Sequence, residues 1–181
     1  MDKMNITERL DETDSNNEWL LNYHKSIYNY ILPFVKNRKV LDIACGFGFA
    51  ANIYSDNGAS SVIGVDISEE VISAAKIRCG NRNITFLQGN AENLAILTSD
   101  SFDLLTSVET IEHLNDHVGF IREAYRLLNK EGLFIISTPN RLTSNKQNSY
   151  HLFLKYFANP MINNNMPGCS SFILTAKKIV L

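Results

Sequence analysis

The sequence predicts an α/β fold, a doubly wound and mostly parallel sheet with helices on both faces. Between residues 39 and 139, short apolar runs alternate with segments whose apolar residues recur at helical spacing. This alternation is typical of parallel strands joined by helical crossovers. The apolar runs are almost continuous, as expected for strands that are covered on both faces. The length of 181 residues favours a single domain.

The first predicted element is a helix over residues 17–32, because its apolar side chains form one stripe at helical spacing. The stripe contains Trp19, Leu20, Tyr23, Ile27, Tyr28 and Ile31. Pro33 discourages continuation of this helix. The polar residues 1–16 before it are predicted to lack regular structure.

Five strands and three further helices are predicted to follow in alternation. The strands are expected at residues 39–44, 61–66, 84–89, 101–108 and 132–139. The helices are expected at residues 49–58, 68–79 and 115–130. Ser68 is the predicted N-cap of the second of these helices, and Glu69 and Glu70 in its first turn suit the helix dipole. Residues 171–180 are predicted as a last strand, antiparallel at the sheet edge.

Composition and charge argue against several classes of protein. The net charge of −2 gives no whole-chain signal for a nucleic-acid partner. The sequence has no apolar run long enough to span a membrane and no secretory signal at its start. Cys45, Cys79 and Cys169 form no C-x-x-C pair, which argues against a disulfide framework or a zinc knuckle. A cytoplasmic location is the expectation.

The segment VLDIACGFGFAAN, residues 40–52, predicts a ligand-binding loop after the first strand. Gly46, Gly48 and Ala51 have G-x-G-x-x-A spacing, although such a short motif also occurs in tight turns without a ligand. Asp66 ends the second strand twenty residues after Gly46, where a carboxylate can accept hydrogen bonds from ribose hydroxyls. Asp42, beside the loop, would repel a pyrophosphate but suits a cationic ligand. A cationic nucleoside is therefore favoured over a nicotinamide dinucleotide.

Several further motifs occur in order after this loop: GASSVIGVDISEEV, NITFLQGNAENL, SFDLLTSVETIEHLND and GLFIISTPNR. From about residue 38 to 141 the chain resembles the class I S-adenosylmethionine-dependent methyltransferases of type 11/12, which have a Rossmann-like fold. The ETIEHL and STPNR pieces resemble a bacterial subgroup associated with surface glycans. The resemblance implies that residues 1–37 form an N-terminal helical lid and residues 38–181 the core that binds S-adenosylmethionine, together one domain.

The resemblance also implies the cofactor-binding residues. Asp42, Ala44, Gly46 and Gly48 would surround the methionine moiety, and Asp66 and Ile67 the ribose and adenine. The remaining predicted cofactor residues are Asn90, Ala91 and Glu92 at the adenine edge and Ser107 beneath the sulfonium. Asn90 stands where relatives commonly have Asp, and its carbonyl can still accept a hydrogen bond.

The stretch ETIEHLNDH is predicted to carry the chemistry at the end of the fourth strand. His113 is the candidate general base, and Glu109 or Glu112 the group that orients it. Alternatively, His113 is only a structural residue before a helix. A third interpretation, typical of small-RNA 2′-O-methyltransferases, is a divalent-metal set completed by His151. We predict no metal.

On the acceptor side we expect Tyr23 and His24 from the first helix, and His151. The predicted function is methyl transfer to a hydroxyl of a small-molecule, saccharide or lipid-linked acceptor. The alternatives are an inactive nucleoside-binding module that serves a partner protein, an RNA 2′-O-methyltransferase and a nicotinamide oxidoreductase.

The C-terminal region departs from the pattern of the family. Residues 150–157 are predicted as a short helix. Relatives usually have NPYH followed by a polar helix-forming stretch and a sixth strand, whereas here NSYH is followed by LFLKYFANPMINNNMPGCSSFILTAKK. The resemblance therefore implies that this helix and the sixth strand are compressed or missing.

Overall fold

A computed structural model of the chain describes residues 18–80, 83–139, 157–163 and 171–178. The helices are α1 (Glu18–Ile31), α2 (Phe49–Asp56), α3 (Glu69–Cys79) and α4 (His117–Leu127). The strands are β1 (Lys39–Ile43), β2 (Ser61–Asp66), β3 (Ile84–Gln88), β4 (Phe102–Ser107), β5 (Leu128–Pro139), β6 (Phe157–Asn163) and β7 (Ser171–Lys178). Short 3₁₀ turns lie at Leu32–Phe34 and Ile111–His113.

The described strands form one sheet in the order β3-β2-β1-β4-β5-β7-β6. Strands β1 to β5 pair in parallel, whereas β7 is antiparallel to both of its neighbours. The predicted α/β class, parallel core and antiparallel last strand are therefore confirmed. The chain winds outward from β1 on one side and from β4 on the other, so these two neighbours mark the switch in strand order.

Alternating side chains of the strands supply two separate cores. Val40 of β1 packs with side chains of α1, α2 and α3 on one face of the sheet. Leu41, the next residue, packs with Phe120 and Ala124 of α4 on the other face. This period of two explains why the central strands read as continuous apolar runs. Helix α1 contributes Ile27 to the first core and therefore packs against this face of the sheet.

The turn between β1 and α2 requires glycine at position 48. Gly48 has a φ of +77°, and a Cβ there would lie 2.6 Å from Cζ of Phe86 and 3.0 Å from Sγ of Cys79. The predicted Ser68 cap at the start of α3 is confirmed, since its side chain accepts a hydrogen bond from the Val71 N–H. Gly80 ends the same helix with a φ of +61°.

The end of α4 and the start of β5 are both corrected. Helix α4 ends at Leu127 rather than at residue 130, because Leu128 already pairs with Phe102. A register shift follows, so that Leu133 pairs with Leu104, and residue 132, expected as the first residue of the strand, lies inside β5.

The sixth strand, expected to be compressed or missing, is present as β6, which begins at Phe157 inside the segment predicted as a short helix. The expected position of the last strand is also corrected, because β7 lies between β5 and β6, and β6 is the edge strand. The physical reason is pairing, since β7 hydrogen-bonds along both of its sides. Residues 1–16, 150–156 and Cys169, for which we made predictions, lie outside the described residues.

Two further features bear on the expectations from composition. Cys45 and Cys79 are both buried, and neither forms a disulfide bond within the described residues. None of the helices in the described ranges is long and apolar enough to cross a membrane.

Candidate active site

A cavity of about 300 Å³ lies at the carboxyl ends of the central parallel strands. Its walls come from the segments that follow β1, β2, β3 and β4, and from helix α1. Ligands of open α/β sheets bind in this crevice, next to the switch in strand order. The position therefore agrees with the loop that the sequence predicted to bind a ligand.

Asp42, in β1, places a buried carboxyl group against the cavity. It is 3% exposed, and its Oδ1 atom accepts a hydrogen bond from Oγ1 of Thr106 in β4 at 2.9 Å. Oδ2 has no hydrogen-bond partner among the described residues. Burial raises the pKa of Asp42 to about 7; the bond from Thr106 opposes this rise and the charge of Asp66 adds to it. A buried oxygen without a partner is costly, so the site suits a ligand with a cationic donor.

Asp66, at the end of β2, organises the loop after β1. Its Oδ2 atom accepts from the Gly46 N–H at 3.1 Å, and Oδ1 accepts from the Ser68 N–H at 3.0 Å. A carboxylate oxygen can accept more than one hydrogen bond, so these bonds are compatible with ribose hydroxyls as additional donors. Gly46 has a φ of +53°, and a Cβ there would meet no atom within 4 Å. The backbone of this loop is thus open to a closely approaching ligand.

The loop after β3 forms the next wall. Asn90, Ala91 and Glu92 all line the cavity, as does Ile67, whose side chain is 60% exposed and offers an apolar surface to a flat base. The Oδ1 atom of Asn90 accepts from the Glu92 N–H at 2.9 Å, which closes a local turn. The carboxylate of Glu92 contacts a different segment, because its Oε1 atom accepts from the N–H of Asn115.

Glu109, which follows β4 and lines the cavity, is fixed by one serine of β5. The hydroxyl of Ser137 accepts from the Glu109 N–H at 3.1 Å and donates to Oε1 of Glu109 at 2.7 Å. Glu109 has a φ of +50°, and Ala44, after β1, one of +61°. Two residues that line the cavity therefore adopt a backbone conformation that is rare for L residues, and such strain concentrates at functional sites.

His113 ends the 3₁₀ turn after β4, and its side chain is 38% exposed on the cavity wall. Glu112 does not line the cavity, and its Oε2 atom accepts from Oγ1 of Thr138 at 3.1 Å. Burial raises the pKa of Glu112. Its Oε1 atom lies 4.0 Å from Nε2 of His113, which exceeds hydrogen-bond distance. Glu112 therefore does not orient His113 through a direct hydrogen bond in this conformation.

Helix α1 contributes two neutral polar groups to the wall. Nδ1 of His24 and the hydroxyl of Tyr28 are 3.3 Å apart. Burial lowers the pKa of His24 to about 4, so its ring is uncharged at neutral pH. Burial also raises the pKa of Tyr28, and the charges of Asp42 and Glu109 add to this effect.

Most of the residues predicted from the sequence meet at this cavity. Those that line it are Asp42, Ala44, Gly46, Asp66, Ile67, Asn90, Ala91, Glu92, Glu109, His113 and His24. Gly48, Ser107, Glu112 and Tyr23 are not part of the wall. Tyr23 is 5% exposed and Ser107 fully buried, so both belong to the interior in this conformation.

His151, expected on the acceptor side and in the alternative metal set, lies outside the described residues. Within the described ranges, no three His, Cys, Asp or Glu side chains are placed so that they could hold a metal ion.

Sequence reasoning missed four side chains that organise the site. Tyr28 was identified only as part of an apolar stripe, and Thr106, Ser137 and Thr138 were not singled out. Thr106 pairs with Asp42 across β1 and β4, and this pairing is visible only once the strand order is known. The run SVETIEH at residues 107–113 and the polar end of β5 carry no local pattern that predicts how these two segments align.

Comparison with known proteins assigns the fold and the family. A family model described as a methyltransferase domain matches residues 41–136, which is more than half of the chain. A protein of Mycolicibacterium smegmatis named as a probable S-adenosylmethionine-dependent methyltransferase is 34% identical over 120 residues, covering 66% of this chain and 45% of that protein. A ubiquinone biosynthesis O-methyltransferase of Pelagibacter ubique is 35% identical over 107 residues, covering 59% of this chain and 44% of that protein.

The chain thus spans less than half the length of these two relatives. Among solved structures, a crystal structure of an S-adenosylmethionine-dependent methyltransferase from Mesorhizobium loti superposes with a TM-score of 0.72 at 20% identity, covering 84% of this chain and 96% of that one. At this identity the likeness concerns the fold.

Proposed function

Because the chain belongs to the methyltransferase domain family, we propose that it transfers the methyl group of S-adenosylmethionine to a hydroxyl group of an acceptor. The observation that carries this proposal is the buried Oδ2 atom of Asp42, which lacks a partner among the described residues and belongs to a carboxyl group that lines the cavity. The ammonium group of the ligand's methionine end is the donor that this oxygen needs. A pyrophosphate in its place would be repelled.

The remaining residues of the wall suit the rest of the ligand. Asp66 accepts hydrogen bonds from the ribose hydroxyls, and Ile67 supports the base. Gly46 lets the backbone approach, since a side chain there would enter open space. The ligand supplies an activated methyl group on a positively charged sulfur, so the protein mainly has to align the acceptor with it.

The acceptor hydroxyl is expected to enter between α1 and the segment after β4. His113 takes the proton of the hydroxyl during the transfer, and Glu109 stabilises the positive charge that His113 then carries. His24 and Tyr28, both neutral, are available to hydrogen-bond the acceptor. In this arrangement α1 acts as a lid on the cavity.

The acceptor class follows from chemistry and from the relatives. Transfer to oxygen is supported by the O-methyltransferases of ubiquinone biosynthesis among the relatives and by the presence of a candidate base. We propose a small-molecule, saccharide or lipid-linked acceptor, in agreement with the glycan-associated subgroup that the ETIEHL and STPNR motifs resemble.

Calorimetric titration with S-adenosylmethionine, S-adenosylhomocysteine and NADH tests the ligand. We expect binding of the first two and none of NADH; the opposite pattern would establish a nicotinamide protein instead.

Transfer of a labelled methyl group to a panel of saccharides, phenols and lipid-linked sugars, with wild type and His113→Gln compared, then tests the chemistry. Turnover by His113→Gln at the wild-type rate would refute His113 as the base, and ligand binding without transfer to any acceptor would favour a binding module.

A further inference from the structure

The carboxylate of Glu92 connects two walls of the cavity. Its Oε1 atom accepts the N–H groups of Asn115 and Asp116, each at 2.7 Å. Asp116 is the N-cap of α4 and accepts the Gly119 N–H through its own side chain at 2.8 Å. The start of α4 is therefore capped without Glu92, whose bonds instead hold the residues that precede the helix.

The loop that carries Glu92 packs closely on the first turn of α4. The carbonyl oxygen of Glu92 lies 3.1 Å from the position that a Cβ at residue 119 would take. The same loop has independent attachments, because the Leu94 N–H donates to Oε2 of Glu123 at 2.7 Å and Arg126 donates to the Leu94 carbonyl at 2.9 Å. Removal of the Glu92 carboxylate therefore leaves the loop in place.

The 3₁₀ turn that carries His113 is thus held at both ends. On the side of the sheet, Ser137 and Thr138 bind the carboxylates of Glu109 and Glu112. On the other side, Glu92 binds the two backbone N–H groups that follow the turn. His113 lies between these attachments, and one of them belongs to the loop that faces the nucleobase end of the cavity.

We propose that Glu92 is a positioning residue, which couples occupation of the nucleobase end to the placement of the turn that carries His113. The identity of the ligand rests on the proposed function. A nucleoside that contacts Asn90 and Ala91 stabilises their loop, and the two bonds of Glu92 extend this stabilisation to residues 113–116. Glu92 thereby acts on the acceptor side, and its carboxylate is assigned to these two backbone bonds rather than to the adenine edge expected from the sequence.

Amide hydrogen exchange of residues 109–120, with and without saturating S-adenosylhomocysteine, tests this coupling. In the wild type we expect the ligand to slow exchange in this segment. In Glu92→Ala the amides of Asn115 and Asp116 should exchange about tenfold faster without ligand, because charge-assisted bonds are lost, and the ligand should add no protection. Glu92→Gln keeps an acceptor oxygen and should retain most of the protection. Glu131→Ala, which removes an exposed carboxylate in β5, is the matched control.

Calorimetry on the same variants separates positioning from ligand contact. The proposal gives the Glu92 carboxylate no bond to the ligand, so the affinity of Glu92→Ala for S-adenosylhomocysteine should stay within about threefold of wild type. A loss of about tenfold or more would make Glu92 a ligand contact and overturn the proposal. Undiminished ligand protection in Glu92→Ala would overturn it as well. If the wild type bound no S-adenosylhomocysteine, both the proposed function and the coupling to a nucleoside would fail. The exchange rates without ligand would still show whether Glu92 holds residues 115 and 116.

Discussion

Asp42 combines near-complete burial with an Oδ2 atom that has no partner among the described residues, and its pKa is raised to about 7. The folded chain without ligand therefore retains a proton on this residue above pH 4, where the unfolded chain has lost it. The stabilisation associated with that proton is present below the unfolded pKa and is lost as the pH rises through 7.

Asp42→Asn is predicted to have opposite effects on stability and on binding. At pH 8 the free energy of unfolding should rise by on the order of 1 to 3 kcal/mol, because no buried charge remains. The affinity for S-adenosylmethionine should fall by about tenfold or more, because the ammonium group loses its anionic partner. Urea denaturation and calorimetry at pH 8 check both effects; a variant that binds as tightly as wild type would contradict the role of Asp42.

His24 gives the opposite pH dependence. Its pKa falls from 6.5 to about 4 through burial, so the unfolded chain binds a proton below pH 6.5 that the folded chain excludes. Stability is consequently lost as the pH falls from 6.5 towards 4, by up to about 3 kcal/mol from this residue. In His24→Asn this loss should disappear, while the contribution of Asp42 persists. The free energies of unfolding of wild type and His24→Asn at pH 7.5 and at pH 4.5 measure this loss. An equal change with pH in the two proteins would refute the contribution of His24.

The site residues that sequence reasoning found and those that it missed differ in a physical way. Asp42 and Asp66 stand at strand ends, where residue type and spacing already predict a ligand. Ser137 and Thr106 act through hydrogen bonds to residues far away in the chain, such as Glu109 and Asp42. Those contacts depend on strand register, and a single sequence does not encode register in any local pattern.

At the level of elements, the two glycines of the turn between β1 and α2 differ in role: Gly48 is required by packing, whereas Gly46 leaves space for a ligand. Gly46 and Gly48 both have a positive φ, of +53° and +77°. A Cβ at Gly48 would clash with the ring of Phe86, whereas one at Gly46 would meet no atom within 4 Å. The two glycines therefore provide a matched pair of variants.

Gly48→Ala is predicted to destabilise the protein by about 2 to 4 kcal/mol, the sum of backbone strain and overpacking. Gly46→Ala should cost only about 1 to 2 kcal/mol in stability from the strain, but should weaken binding of S-adenosylmethionine more than any loss of folding explains. Thermal unfolding and calorimetry of both variants check this contrast. Equal stability losses would show that Phe86 yields to the added methyl group.

The boundaries of the helices and strands were predicted well where the sequence contains clear start and stop signals. The capping side chain of Ser68 and the terminal Gly80 bounded α3, and all five parallel strands were found within a few residues. The boundary of α4 was wrong because the chain passes directly from helix to strand at Leu128, with no glycine or proline between them. Strand β6 was missed because its sequence, FANPMIN, contains a proline and two asparagines that are unfavourable in strands.

At the level of the whole molecule, the cavity is built from segments after four different strands, and none of its walls exists in the unfolded chain. A ligand that fits it therefore binds the folded state alone and stabilises the fold by mass action. At one hundred times its dissociation constant, S-adenosylmethionine should add about 2.7 kcal/mol and raise the Tm by roughly 5 to 10 °C.

Thermal shift measurements over a range of ligand concentrations test this expectation, with NADH as the control. A Tm that stays constant as S-adenosylmethionine increases would count against the assigned cavity. The doubly wound, mostly parallel sheet was the part of the architecture that the sequence predicted most directly, because alternation of strands and helices leaves few other arrangements.

The position of β7 also matters while the polypeptide is being synthesised. Its partner β5 presents apolar residues such as Phe134 and Ile136, which pair with β7 residues translated about forty positions later. Until those residues emerge from the ribosome, a nascent chain whose five parallel strands have formed leaves the backbone N–H and C=O groups on the β7 side of β5 unpaired. Unpaired strand edges recruit other strands, so we expect intermolecular pairing at β5 to be greatest in the interval before residues 171–178 appear.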